Sequence, residues 1–319
     1  MPKVISMGEA VVDLFAIPDG VCLEEAKSFS LQPGGAPANV AVALARLGVN
    51  VGFVGTVGDD PFGGLLTKQL LLEGVDTTHF RQVADSPTMV SFVAATSPHD
   101  QDFVIYRGAD EKLAVKDLNR PYFETAEVFI YSSVALSGSG REANREAVRW
   151  VNEAGGLVAY DANLRPAVWR NLEEARQGIL AGLAGVSIVK LNESELQLLA
   201  ETDDLKVGSR WVLDQGVKLC LVTLGSGGAY YNNGRSAAHV PGFQVESVDA
   251  TGCGDAFLSG LVSGLLNTSA ALETLDDQIL TSLVRFANAA GALTATCQGA
   301  IAALPTLARV NAFLSEHVN

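Results

Sequence analysis

Short apolar runs alternate with stretches of helical periodicity over most of the chain, so that successive segments read as strand, then helix. Lys3–Met7 is the first such run, and a helix is expected over about Ala38–Leu47, with Pro37 near its start and Gly48 just past its end. Val51–Val54 predicts a strand, and Asp59-Asp60-Pro61 opens a helix that stops at Gly74. Two carboxylates before a helical proline are ordinary caps and carry no chemistry. From Glu127 the alternation resumes, with strands ending at Ser132 and spanning Leu157–Asp161, Ser187–Leu191 and Leu219–Thr223. Helices are expected about Arg141–Ala154 and Leu172–Leu183, from Ala256 onward, and about Asp276–Thr296 and Leu307–His317. This order predicts an α/β protein with a mainly parallel central sheet.

Two stretches break the pattern. Met89–Thr96 and Asp102–Arg107 are β-like runs joined by the turn signal Ser97-Pro98-His99-Asp100, with no helix between them, and therefore predict an antiparallel hairpin outside the main sheet. With the segment around Ala16–Leu31 this hairpin reads as a small β lid. The expected division is a large domain over 1–15, 34–85 and 114–319 and a lid over 16–33 and 86–113. Two strands alone are marginal, so the exposed face of the lid should pack on the large domain or on a second subunit. A second hairpin follows Leu219–Thr223, with Asn233-Gly234 as a type I′ turn pair.

A chain of 319 residues can bury a sizeable core, and 48% hydrophobic with 18% charged residues fits a globular enzyme. The net charge of −14 argues against nucleic acid as a partner. Any polyanionic ligand would then need a local positive pocket made from N–H groups, a few Arg or Lys, and a metal. Cys22, Cys220, Cys253 and Cys297 are scattered without metal spacing and read as reduced thiols. Met1–Ser6 reads as the start of a strand, not a signal peptide, and no apolar run is long enough to span a membrane. A cytoplasmic location is expected.

Conspicuous polar groups stand where predicted strands end, the side on which open α/β sheets bind ligands. Asp161-Ala-Asn163-Leu-Arg165 follows one strand, Asn192-Glu-Ser-Glu195 the next and Thr223-Leu-Gly225 a third, with Gly228 shortly after. Asp249–Asp255 follows the second hairpin. No Gly-x-x-x-x-Gly-Lys-Ser/Thr, no Gly-x-Gly-x-x-Gly after the first strand and no Gly-x-Ser-x-Gly occurs, which disfavours P-loop, dinucleotide and hydrolase readings. His79, His99, His239 and His317 stand apart from one another and suit surface or structural roles. Val248–Ser259 is the densest stretch. Gly252 and Gly254 bracket a tight loop that enters an apolar helix, which exposes backbone N–H groups backed by the helix dipole and makes a site for phosphate. Asp255, in the first turn, suits either of two roles there: an N-terminal cap, or the group that takes a proton from an attacking hydroxyl.

These residues resemble a known family. Asp249-Ala-Thr-Gly252-Cys-Gly254-Asp255 resembles the C-terminal signature of the ribokinase-like (PfkB) sugar kinases, and Pro33-Gly34-Gly35-Ala36-Pro37-Ala38-Asn39-Val40-Ala41 their N-terminal one. Gly8-Glu9…Asp13, Tyr106-Arg107 and Asp161-x-Asn163-x-Arg165-x-x-x-Trp169 are most similar to the fructokinase branch. The resemblance implies a ribokinase-like αβα sandwich with a β lid, ATP with Mg2+, and a homodimer formed through the lid. It implies that Asp255 is the general base and that the backbone of Gly252, Cys253 and Gly254 forms the anion hole. It places the sugar against Asp13, Gly34, Gly35, Asn39, Arg107 and Arg165. Asn163, Asn192, Thr223, Gly225, Gly228 and Asn288 fall on the nucleotide side, and Glu195 and Asp249 on the metal. The activity implied is transfer of the γ-phosphate of ATP to a sugar hydroxyl, D-fructose to fructose 6-phosphate first. Ribose, 2-keto-3-deoxygluconate and aminoimidazole riboside are the alternative acceptors. A noncatalytic regulatory relative would be expected to have lost the base, which is present here.

Three departures from the family pattern matter. Ala250 and Cys253 replace the usual Thr and Ala, and a thiol beside a helix N-terminus is expected to have a lowered pKa, to react with thiol reagents and to be protected by ATP. Tyr106–Asp110 is about two residues shorter than in the family, in a segment bordering the sugar. Ala302 and Ala303 offer no hydroxyl where potassium-using relatives have one, although the backbone near Asp249 and Gly299 would still suit K+.

Overall fold

The computed structural model describes residues 1–18, 20–97, 100–268 and 270–317. Its strands, in chain order, are β1 (Val4–Met7), β2 (Val11–Ile17), β3 (Ser28–Gly34), β4 (Val51–Gly58), β5 (Phe80–Val83), β6 (Val90–Ser97) and β7 (Asp100–Tyr106). They continue with β8 (Val128–Ser132), β9 (Leu157–Asp161), β10 (Ile188–Asn192), β11 (Leu219–Thr223), β12 (Gly228–Asn232) and β13 (Ala237–Pro241).

A nine-stranded sheet runs β13-β12-β11-β10-β9-β8-β1-β4-β5. It is parallel from β11 to β5, while β12 and β13 form an antiparallel edge. Its central strands are apolar on both sides, as a sheet covered by helices on both faces requires. Val4, Val128 and Ile130 join one core with the helices Ala36–Arg46, Cys253–Leu265 and Asp277–Ala295. Their neighbours Ile5, Phe129 and Tyr131 point into a second core with the helices Arg141–Glu153 and Leu172–Gly182. The result is the expected αβα sandwich.

The smaller sheet has four strands, in the order β3-β2-β6-β7. β6 and β7 are antiparallel, as expected of the hairpin, and β2 pairs with β6 in parallel. The centre of the turn, Pro98-His99, lies outside the described residues. Asp60 caps the helix Pro61–Leu72, its Oδ1 accepting from the N–H of Phe62 and Gly63 at 3.0 and 2.9 Å.

The second hairpin differs from expectation at its turn. A type I′ pair needs positive φ at both central residues, and Asn233 has none. Its side-chain oxygen instead accepts from the N–H of Arg235 and Ser236, and the loop spans four residues between paired Asn232 and Ala237. Between β10 and β11 the chain also makes the helices Glu193–Ala200 and Leu205–Asp214, for which the sequence reading made no provision. Among the described residues, no helix is long and apolar enough to cross a membrane.

Candidate active site

A cleft of about 610 Å³ lies between the small sheet and the carboxyl ends of the large sheet's parallel strands. Asp13 and Ser91 face it from the small sheet, and Asn163, Arg165, Asn192, Glu195, Thr223 and Gly225 from the loops after β9, β10 and β11. Gly35, Asn39, Gly252, Gly254 and Asp255 close it from two helix starts.

The loop before the helix Cys253–Leu265 is held from within. The Asp249 carboxylate accepts from the Thr251 N–H at 2.9 Å, the Thr251 hydroxyl at 2.7 Å and the Gly299 N–H at 2.8 Å. Gly252 takes φ 80°, a left-handed conformation that glycine adopts at little cost, and no side chain caps the helix that follows. The Cys253 N–H donates to the Ala250 carbonyl at 3.3 Å, and the N–H groups of Gly252 and Gly254 are left for an anion in the cleft. Asp255 makes no capping bond, so the cap reading fails. Its Oδ2 instead accepts from the Asn39 side-chain N–H at 2.8 Å, across 216 residues of sequence. Burial pushes the Asp255 carboxyl up to about 6, with the Asp161 charge adding to it, against the Asn39 bond and the charges of Lys190 and Arg165. A carboxylate tuned upward in this way can hold a proton taken from an alcohol near neutral pH.

Across the cleft, Asp13 receives a hydrogen bond from the Ser91 hydroxyl, and burial pushes it up to about 6 as well. Gly34 lies directly against that carboxylate. Gly35, at φ 101°, starts the helix Ala36–Arg46 with its Cα so close to the link between β1 and β2 that a Cβ would stand 2.5 Å from the Glu9 carbonyl oxygen. Asn39 is buried, and its side-chain oxygen has no partner. Arg165 is exposed at the rim, bonded among the described residues only to the neighbouring Leu164 carbonyl at 3.2 Å, and its charge favours ionisation of Glu9, Asp13 and Asp255.

On the opposite side, Asn192 caps the helix Glu193–Ala200 by accepting from the Glu195 N–H at 2.8 Å. Glu195 is buried, and its two oxygens accept from the N–H of Leu164 at 2.7 Å and of Asn192 at 2.8 Å. It thereby ties the loop carrying Asn163 and Arg165 to the end of β10. Gly225 is open, with nothing within 4 Å of where a Cβ would lie.

Several expected site residues do not face the cleft. Arg107 is held by Asp110 and donates to the Ser137 hydroxyl at 2.6 Å. Asn288 donates to the Val240 and Pro241 carbonyls at 3.1 and 3.2 Å, and Gly228 packs against the same strand, so both support the β12–β13 hairpin. Asp249 is the loop anchor described above. The expected lowering of the Cys253 pKa is overturned. Burial, then the charges of Asp249 and Asp255, push the thiol up to about 12, and these outweigh the helix terminus. Cys253 should therefore alkylate slowly: iodoacetamide at pH 7.5 should leave activity unchanged over a time that modifies free cysteine fully. Rapid inactivation prevented by ATP would contradict this.

Two further groups on the cleft wall, Glu9 and Lys190, had no site role in the sequence, and Lys190 stood in none of its motifs. Glu9 lines the cleft, and burial pushes it up to about 7. Lys190, also on the cleft wall, is paired with Asp161 at 2.9 and 3.1 Å. A lysine inside the apolar strand Ile188–Asn192, two positions before a polar strand end, was the available signal.

Among the described residues, no three His, Cys, Asp or Glu side chains are grouped to hold a metal.

The whole chain has close relatives. The family model described as pfkB family carbohydrate kinase matches residues 1–307. The chain is 40% identical over 313 residues to fructokinase-1 of Zea mays, covering 96% of each protein. It superposes with a TM-score of 0.89 and 33% identity on the fructokinase of Xylella fastidiosa with bound ATP, over 99% of both chains. A fructokinase double mutant of Vibrio cholerae O395, in a form with fructose, ADP and potassium ion bound, gives 0.88 at 35% identity over 98% of both. With its nine-stranded αβα sandwich, its lid-like second sheet and an uncapped helix start facing the cleft between them, the chain belongs to the pfkB family of carbohydrate kinases, phosphotransferases acting on a sugar hydroxyl.

Proposed function

We propose that this protein transfers the γ-phosphate of ATP to D-fructose, giving fructose 6-phosphate. The observation that carries the reading is the buried Asp255 carboxylate, bonded to Asn39 and set one turn into an uncapped helix. Asp13 would accept sugar hydroxyls, with Gly34 and Gly35 shaping that wall. The unpartnered Asn39 oxygen would accept another, and Arg165 would donate from the rim. Asp255 takes the proton from the hydroxyl at C6 as its oxygen attacks the terminal phosphorus and the bond to ADP breaks. The N–H groups of Gly252 and Gly254 receive the charge that builds on the phosphoryl oxygens, and that of Cys253 joins them by leaving the Ala250 carbonyl. Asn163, Asn192, Thr223 and Gly225 line the nucleotide side. Magnesium, when bound with ATP, neutralises phosphate charge. Glu195 and Asp249 would then act by holding loops in place, since their oxygens are already engaged by backbone N–H groups.

The small sheet of β2, β3, β6 and β7 would serve as a lid over the sugar, and its closure would exclude water from the phosphate. Ile17, Leu31, Phe103, Val104 and Tyr106 on this sheet are exposed large apolar side chains, which supports a homodimer formed through the lid. The potassium ion bound in the Vibrio structure supports use of a monovalent cation, for which the backbone near Asp249 and Gly299 would be the place. A cytoplasmic location suits free thiols and ATP.

An ADP-coupled screen over fructose, ribose, mannose, 2-keto-3-deoxygluconate and aminoimidazole riboside tests the acceptor. Fructose should give the highest kcat/KM. A higher value for any other sugar would reassign the substrate while leaving the reaction class in place.

A further inference from the structure

The Lys190 ammonium is buried beside the phosphate loop, where the reaction as described gives it nothing to do. Lys190 and Asp161 keep only 8% and 4% of their side-chain surface exposed, and the ammonium meets both Asp161 oxygens at 2.9 and 3.1 Å. It also lies tight against the loop: a Cβ built on Gly254 would stand 2.8 Å from Lys190 Nζ. Gly254 does not have a positive φ, so a side chain there would meet this ammonium and not a backbone restriction. Lys190, Gly254 and Asp255 share one wall of the cleft. A buried ion pair is seldom a net gain in stability, which directs attention to what its field does.

The geometry points to the Asp161–Lys190 pair as a positioning element for Asp255, which fixes a positive charge behind the phosphate loop and sets how firmly Asp255 holds its proton. The inference rests on the reading of Asp255 as the base. The two members of the pair act on Asp255 in opposite senses, Asp161 strengthening its hold on a proton and Lys190 weakening it. Other groups facing Asp255 are Arg165, which favours ionisation, the neutral amide of Asn39, and the un-ionised thiol of Cys253 on its own helix. Asp13 and Glu9 lie elsewhere on the cleft wall. Asp161 thus makes the base stronger, and Lys190 favours its ionised form.

The test is a carbon-13 NMR titration of aspartate-labelled protein, with the Asp255 carboxyl assigned through its loss in Asp255→Asn. The wild-type resonance should titrate near pH 6. In Asp161→Asn, which keeps an acceptor for Lys190, the midpoint should fall by about one pH unit, as removal of a nearby like charge does. In the double variant Lys190→Met/Asp161→Asn, which leaves no unpaired charge and should fold where the single variant does not, the midpoint should lie between the two. An Asp161→Asn midpoint at or above that of wild type, or a double-variant midpoint outside that interval, would overturn the proposal. Should Asp255→Asn retain full turnover while these shifts appear, the charge-setting pair stands and the assignment of the base fails.

Discussion

Asp255→Asn should lower kcat by roughly 10²-fold or more and leave ATP affinity close to that of wild type, the pattern expected when a general base is lost but the binding site survives. Asparagine fills the same volume and can still accept from Asn39, whose side-chain N–H meets Oδ2 at 2.8 Å. Only proton acceptance is removed. The variant should also be no less stable than wild type, because the buried carboxyl it replaces is one whose burial already disfavours ionisation. Steady-state kinetics beside calorimetric ATP binding would separate the two effects. A fall of less than about tenfold would show that the alcohol's proton leaves by another route.

Gly34→Ala should reduce kcat/KM for the sugar by about 10- to 100-fold, the range expected when a charge-assisted hydrogen bond to substrate is lost. Gly34 sits at the end of β3 opposite Val11 and does not need a positive φ, so alanine fits its backbone. The added methyl would overlap the Asp13 carboxylate, the atoms nearest to it. Asp13 can yield only by turning away from Ser91 and from the sugar pocket, and the fold has no need to change. The loss should fall on KM for sugar and should not add to that of Asp13→Ala in a double variant. Additive losses would mean that Gly34 acts on something other than Asp13.

What could be read in advance follows the range of the interactions involved. The phosphate loop was legible because glycine spacing, the helix start and the carboxylate all fall within Asp249–Asp255. The central sheet was legible because its strands are apolar on both faces. Cys253 was misread because a helix terminus is visible in sequence, whereas the burial that dominates its thiol is not. Arg107 looked free for substrate, yet Asp110, three positions on, occupies it once the chain turns. Asp161 stood out at a strand end, but its pairing with Lys190 was not legible because the two lie on different strands, 29 residues apart. The Asn233-Gly234 dipeptide carried the statistics of a two-residue turn, but Asn233 spends its side chain on the N–H groups of Arg235 and Ser236.

The most direct test follows the labelled terminal phosphate of ATP in the presence of fructose. Wild-type protein should place the label on the C6 oxygen of the sugar, with one ADP formed for each, and Asp255→Asn should place almost none there. Label released as inorganic phosphate regardless of sugar, or equal transfer by both proteins, would contradict the assignment of this cleft.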